Sequence, residues 1–202
     1  MRFVVSNLPS RILLVSLAFA VSFIYLIEDK EIPAENAQQD KLLDHPNWLG
    51  PYIPTPPEVI DVMLRLATVR EGDILYDLGS GDGRIIIRAA EKHSINTVGI
   101  EFDEELCRAT RVSARERHLE ARVRVIQGDI LEQDLSEASV VTVYLLPKSL
   151  GKIAALLQTQ LKKGARVVVV NDEMPGWKFN KRINVRENSN ARNWQVFLYV
   201  IR

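Results

Sequence analysis

Apolar and polar positions along this chain alternate between two periods. The block 74–78 (ILYDL) is apolar apart from Asp77 and reads as a buried strand; it runs into GSGDGR and then IIIRAA, whose spacing is helical. The same change of period recurs downstream: helix 84–93, strand 97–101, helix 103–117, strand 123–127, strand 140–144, helix 148–161 and strand 166–171. Strands alternating with helices predict a parallel sheet covered on both faces, an α/β fold. A last strand at 193–201 (NWQVFLYVI) follows a polar segment. Upstream, Thr55 is placed to cap a helix that has Pro57 and Glu58 in its first turn and carries Val59, Ile60, Met63 and Leu64 inward.

The amino-terminal part follows another pattern. Residues 12–27 (ILLVSLAFAVSFIYLI) are uncharged and apolar, preceded by Arg2 and Arg11 and followed by Glu28, Asp29, Lys30 and Glu31. The run is a little shorter than the ~20 residues of a spanning helix, and Phe3 to Leu8 extends it. We therefore divide the chain into a hydrophobic segment at 1–30, a polar linker at 31–50 and a folded domain at 51–202. The segment reads as a single membrane anchor; its rival is a signal peptide cleaved behind Ala18-Phe19-Ala20, which would export the domain. Flanking charge favours a cytoplasmic amino terminus and a domain carried outward. A domain on the cytosolic or matrix side is nevertheless the reading adopted, because of the cofactor inferred below.

Composition narrows the function classes. Lys plus Arg equal Asp plus Glu at 26 each, so net charge supplies no electrostatic reason to bind nucleic acid. Cys107 is the only cysteine, which excludes a disulfide within the chain, and its helical setting EELCRAT suits a buried thiol. His45, His93 and His118 stand apart from one another, with no second ligand type at metal-binding spacing.

The candidate chemistry gathers at strand ends. Gly79, Gly81 and Gly83 alternate through the turn after the first strand, which lets a ligand press against bare backbone, and the helix that follows aims its first N–H groups into the same space. A dinucleotide turn wants G-x-G-x-x-G, but the position three after Gly81 is Arg84. The next two strands end in Glu101 and in Gly128-Asp129-Ile130. Ligands of open parallel sheets bind outside the carboxyl ends of strands, and an acid about twenty residues past the turn suits ribose hydroxyls. Carboxylates at Asp77, Glu101 and Asp129 suit a cationic, nucleoside-bearing ligand better than a polyphosphate.

DLGSGDGR, GIEFD and QGDI resemble three motifs of class I S-adenosylmethionine-dependent methyltransferases, over roughly 51–202. PYIPTPPEV (51–59), YLLP (144–147) and DEMPGW (172–177) are similar to a narrower group, the small membrane-associated protein-lysine methyltransferases. Mitochondrial members of that group modify the ADP/ATP carrier and the ATP synthase c subunit. The resemblance implies a Rossmann-like, mostly parallel seven-stranded sheet with helices on both faces and the last strand antiparallel beside 166–171. It also implies S-adenosylmethionine as cofactor and a protein substrate, possibly of the membrane, as partner.

Residue by residue, the resemblance implies that Asp77 meets the ammonium of the donor and that Gly79 and Gly81 admit its amino-acid part. Glu101 takes the ribose hydroxyls, Phe102 lies against adenine, Asp129 accepts from the adenine amino group and Ile130 lines its other face. Tyr52 and Thr55 either brace the start of the domain or, as the resemblance implies, fold over the donor. On the acceptor side stand Tyr144 and Asp172 as amine-positioning candidates, with Glu173 beside them and Trp177 at the opening or capping the core. YLLP is not the D-P-P-Y of amide and adenine methyltransferases, which counts against a DNA substrate. Alternatives are a small-molecule or lipid acceptor, a nicotinamide-dependent oxidoreductase, and a non-catalytic nucleoside-binding module.

Overall fold

The computed structural model describes residues 48–187 and 191–202. The hydrophobic segment 1–30 and most of the linker lie outside the described residues. Among those described, no helix is long and apolar enough to cross a membrane.

A single seven-stranded sheet carries the domain, in the order β3-β2-β1-β4-β5-β7-β6. Strands β1 (Ile74–Leu78), β2 (Asn96–Glu101), β3 (Val123–Gln127), β4 (Val140–Val143) and β5 (Arg166–Val170) are mutually parallel. The order turns outward from β1 in both directions, which puts the switch point, and the place for a ligand, beside the carboxyl end of β1. The last strand β7 (Asn193–Val200) runs antiparallel to β5, as expected.

One strand escaped the sequence reading. β6 (Lys181–Arg186) pairs antiparallel with β7 at the sheet edge, inside what reads as a polar segment. Ile183 and Val185 do alternate with Arg182, Asn184 and Arg186. An edge strand has little face to bury, so its composition stays polar, and charge on an edge discourages pairing with other chains.

The helices α1 (Pro57–Leu66), α2 (Arg84–His93), α3 (Glu104–Glu116) and α4 (Pro147–Gln160) divide between the two faces. Val59, Ile60, Met63 and Leu64 of α1, Ile85, Ile86 and Ala90 of α2, and Ala114 of α3 share one core with Leu75, Val168, Val170 and Trp194. Leu150, Ile153 and Leu157 of α4 share the other with Tyr76, Val141, Val143, Val167 and Val169. All four residues of β4 are buried, as expected of a strand covered on both sides. Leu49 also packs into the second core, and its carbonyl accepts from Ser149 Oγ at 2.8 Å.

The cap expected at Thr55 does not form. Pro56 occupies the N-cap position of α1 without a side-chain cap, and its carbonyl accepts from the N–H groups of Val59 and Ile60, both at 3.0 Å. Counted from Thr55, the second helical position is Pro57, which has no N–H to offer a hydroxyl.

Candidate active site

The turn after β1 is held from below by β2. The N–H groups of Gly79 and Ser80 both donate to the Ile100 carbonyl, at 2.9 and 3.0 Å, and that of Gly81 donates to Glu101 Oε2 at 2.8 Å. These amides are committed to the scaffold, not left open for a ligand; Ser80 and Gly81 are buried, where a backbone donor must be paired, while Gly79 itself is exposed. Gly81 and Gly83 have a further reason to lack side chains. A Cβ on Gly83 would stand 2.2 Å from Thr110 Cγ2 of α3, and one on Gly81 would stand 2.5 Å from the Tyr52 ring, while both residues have positive φ. Bare backbone here admits neighbouring side chains.

The start of α2 is likewise occupied. Gly83 N–H donates to Ser80 O, and Arg84 N–H donates to Asp82 Oδ1 at 3.2 Å, so Asp82 supplies the anion that the helix dipole favours. Arg84 also pairs with Asp82 at 2.7 Å and reaches Tyr52 OH at 3.0 Å and the Thr55 carbonyl at 3.2 Å. Tyr52 and buried Thr55 are thereby strapped across the glycine turn through two residues outside the predicted site set.

Asp77 sits at the bottom of this turn, 2% exposed. Its Oδ1 accepts from Thr142 Oγ1 at 2.7 Å, and its Oδ2 is buried with no partner. Burial pushes the carboxyl up to about 7, with the charges of Glu101 and Asp82 adding to the rise and the Thr142 hydrogen bond opposing it. An orphaned carboxylate oxygen at this depth is a standing cost that a cationic group would remove. Sequence reasoning missed Thr142. Its signal was a hydroxyl in the otherwise apolar VVTV, and β-register places it directly opposite Asp77.

Glu101 is within the same cluster and already well used. Its Oε1 accepts from the N–H groups of Phe102 and Asp103 at 2.8 and 2.9 Å, besides the Oε2 bond to Gly81. A carboxylate has about four acceptor positions, so room for one further donor remains. Asp129 Oδ1 accepts from Leu131 N–H at 2.8 Å and caps a short 3-10 turn, Ile130–Glu132, and Ile130 itself packs into the second core.

Across the sheet, β4 and β7 bring aromatic groups to the same end, and β5 is followed there by Asn171. The Tyr144 ring meets that of Trp194 edge-on, centroids 5.5 Å apart, and its hydroxyl accepts from Asn171 Nδ2 at 3.3 Å. Trp194 Nε1 donates to buried Glu187 at 2.9 Å, and Arg192 lies 4.3 Å from the indole centre. Asp172 follows Asn171 and is half-buried, whereas Glu173 is exposed. Trp177 caps the second core against Tyr199 instead of lining an opening. Among the described residues no cluster of His, Cys, Asp or Glu is placed to hold a metal ion.

The family described as the ANTKMT methyltransferase domain matches residues 77–181, more than half of the chain. The chain belongs to the ANTKMT methyltransferase family. It is 40% identical over 152 residues to a protein-lysine N-methyltransferase of Saccharolobus islandicus, covering 75% of this chain and 93% of that one. It is 31% identical to the adenine nucleotide translocase lysine N-methyltransferase of Mus musculus, covering 63% of this chain and only 56% of the longer relative. Among solved structures, an RNA methyltransferase from Salinibacter ruber in complex with S-adenosyl-L-homocysteine is 43% identical, with TM-score 0.69, covering 74% of this chain and 94% of that one.

Within the matched span of this methyltransferase domain lie Asp77, the glycine turn, Glu101, Asp129, Tyr144 and Asp172; Tyr52 and Thr55 precede it. Cys107 is buried, its thiol pushed up to about 11 by burial first and then by the Glu101 charge, which makes it inert.

Proposed function

We propose that this methyltransferase takes its methyl group from S-adenosylmethionine and delivers it to lysine side chains of a protein substrate, most simply a membrane protein reached through an anchor at 1–30. The observation that carries the donor is the orphaned, buried Asp77 Oδ2 under a glycine turn, with a second carboxylate at Glu101. That pair of carboxylates suits a ligand with an ammonium and ribose hydroxyls. When bound, the donor supplies an electrophilic sulfonium methyl, so the protein need only align and exclude water.

The chain's own groups divide that work. Asp77 holds the ammonium and becomes charged in doing so; Glu101 offers its remaining acceptor position to a ribose hydroxyl. Gly79 and Gly81 give the amino-acid part a surface without side chains, although their N–H groups serve β2. Phe102, Asp129 and Ile130 are assigned to the adenine, and the Tyr52–Thr55 strap, latched by Arg84 and Asp82, closes over the turn. On the other side Tyr144 and Asp172 orient the acceptor amine. Bringing a lysine to its neutral form at pH 7 costs about 5 kcal/mol from an ordinary pKa of about 10.4. The apolar setting of Tyr144 and Trp194 lowers that cost by disfavouring the ammonium. The lysine acceptor is supported by the 40% identical relative, matched over 93% of its length. Because the donor is made in the cytosol, the domain faces the cytosol or matrix.

An RNA acceptor is the second reading. It is favoured by the likeness to the Salinibacter RNA methyltransferase and by the exposed cations Lys178, Lys181, Arg182, Arg186 and Arg192 on and around β6. One experiment separates the two: incubate the protein with labelled S-adenosylmethionine and a membrane-containing extract of the source cells. Label that survives nuclease, vanishes with protease and is recovered as methyl-lysine is the expected result. Label released by nuclease, or confined to small molecules or lipid, ends the lysine proposal. Absence of donor binding by calorimetry would end the donor assignment as well.

A further inference from the structure

We infer that Asn171 is a positioning residue for methyl transfer: its side-chain amide sets the direction of the Tyr144 hydroxyl. The inference rests on the proposal that Tyr144 meets the acceptor amine, and it extends that proposal to a residue of another strand.

Asn171 follows directly on β5 and has φ +67. Four other non-glycine residues described here have positive φ; Thr68, Ser94 and His118 lie at helix ends and Ala191 in the β6–β7 connection. Helix ends take left-handed residues routinely, but the end of a parallel strand does not. The Asp172 N–H donates to the Val170 carbonyl at 2.9 Å, closing a three-residue turn around Asn171. A turn of that kind with positive φ at its centre is rare and strained, and asparagine tolerates it better than most residues. Strain held at the carboxyl edge of a sheet, beside the candidate site, points to a function.

The hydrogen bonds say which function. Asn171 N–H donates to the Gln195 carbonyl at 2.7 Å, and Asn171 Oδ1 accepts from Gln195 N–H at 3.3 Å. A backbone N–H can only donate, so the oxygen end of the amide must face β7. The NH2 end must then face Tyr144, whose hydroxyl oxygen lies 3.3 Å from Nδ2. The amide orientation is therefore fixed by chemistry, not by choice of fit. With one lone pair engaged, the Tyr144 hydroxyl cannot turn its hydrogen toward Asn171, and no described residue accepts that hydrogen. That hydrogen is therefore left for a substrate group. The strand end that carries Tyr144 adjoins the glycine turn, because Leu78 pairs with Val143 and the chain continues on one side into Gly79 and on the other into Tyr144.

Asn171→Asp keeps the shape, tolerates the same backbone and retains an oxygen for Gln195. It removes the donor and offers Tyr144 a carboxylate instead, which reverses the hydrogen bond. Asn171→Gly relieves the backbone and deletes the side chain. Measured as the maximal rate of labelled methyl transfer into protein of the membrane-containing extract, both variants should lower kcat about tenfold, the size of one hydrogen bond to a reacting group, with donor Kd within twofold. Asn171→Asp should also displace the kcat pH profile, which a merely structural residue would not do. In a Tyr144→Phe background the Asn171→Asp effect should vanish. If Tyr144→Phe alone keeps full kcat, the assignment of Tyr144 fails and takes this inference with it. If Tyr144→Phe is impaired while Asn171→Asp is silent, or adds its full effect on top, only the role of Asn171 is overturned.

Discussion

The two halves of the candidate site are built on opposite plans. The half formed by β1, β2 and the glycine turn is charged and rigid: Asp77, Glu101, Asp82 and Arg84 lie within a web of short backbone hydrogen bonds, and three consecutive loop amides, those of Gly79, Ser80 and Gly81, are spoken for. The half formed by β4, β5 and β7 is aromatic and joined largely through side chains: the Tyr144 ring meets Trp194, its hydroxyl accepts from Asn171, and Trp194 in turn donates to Glu187. The first plan suits a small cationic ligand of fixed shape, because preorganised dipoles need no rearrangement. The second suits a flexible amine that must shed its proton, because an apolar wall disfavours the charged form. Donor binding and acceptor turnover should accordingly be separable by mutation.

The sharpest break is at Asp77. Asp77→Asn should weaken S-adenosylmethionine binding by more than about 100-fold, the scale of removing one partner from a buried charge pair, while leaving the protein folded. Since burial raises this carboxyl to about 7, the native state holds a proton that the unfolded chain has lost above about pH 4. That contribution to stability therefore falls as pH rises from about 4 to about 7. Asp77→Asn should consequently show an unchanged or higher Tm than wild type at pH 8. A fall in Tm together with lost binding would mean a structural role only.

Next in size is Gly83→Ala. The new methyl would enter the space of Thr110 at a positive-φ position, so we expect a loss of about 2–4 kcal/mol in urea unfolding, from overpacking and backbone strain together. Thr110→Ser removes the Cγ2 that is nearest and should recover part of the loss. If Gly83→Ala instead costs only affinity, the glycine faces the ligand after all.

Donor affinity should tighten with pH below about 7 and level off above it, by at most tenfold per unit, since engaging an ammonium requires Asp77 to release one proton. Calorimetry in two buffers of different ionisation enthalpy would count that proton. A pH-independent Kd would place the ammonium elsewhere.

The smallest expected effect tests the aromatic half. Trp194→Phe keeps a ring beside Tyr144 but removes the donor to Glu187, so kcat should fall severalfold, about 1 kcal/mol, with donor Kd unchanged. A change in donor Kd of the same size would show that the two halves are coupled.

Legibility followed the same division. Asp77, Gly79, Gly81 and Glu101 were readable because they belong to one strand–turn–helix–strand unit, in which contacts are local and chain order nearly dictates geometry. Thr142 lay in plain view as the polar residue of VVTV, yet only register with β1 turns it toward Asp77. That Gly81 and Gly83 also make room for the Tyr52 ring and Thr110 was not readable, because those residues come from segments well separated in sequence. Asn171 and Trp194 gave no sign at all, since an asparagine after a strand and a tryptophan in one are ordinary.

By itself the sequence determined the alternation of strand and helix, the parallel sheet, the acids at its carboxyl ends and the family likeness, because each depends on periodicity or on motifs a few residues long. Tertiary structure alone decided which N–H groups the loop could spare, which oxygen of Asp77 went unpaired, that β6 closes the sheet edge, and that Asn171 and Trp194, from the ends of two other strands, meet Tyr144. Those outcomes depend on who meets whom across the sheet, and hydrogen-bond partners and burial are shared properties of a pair that neither residue carries alone.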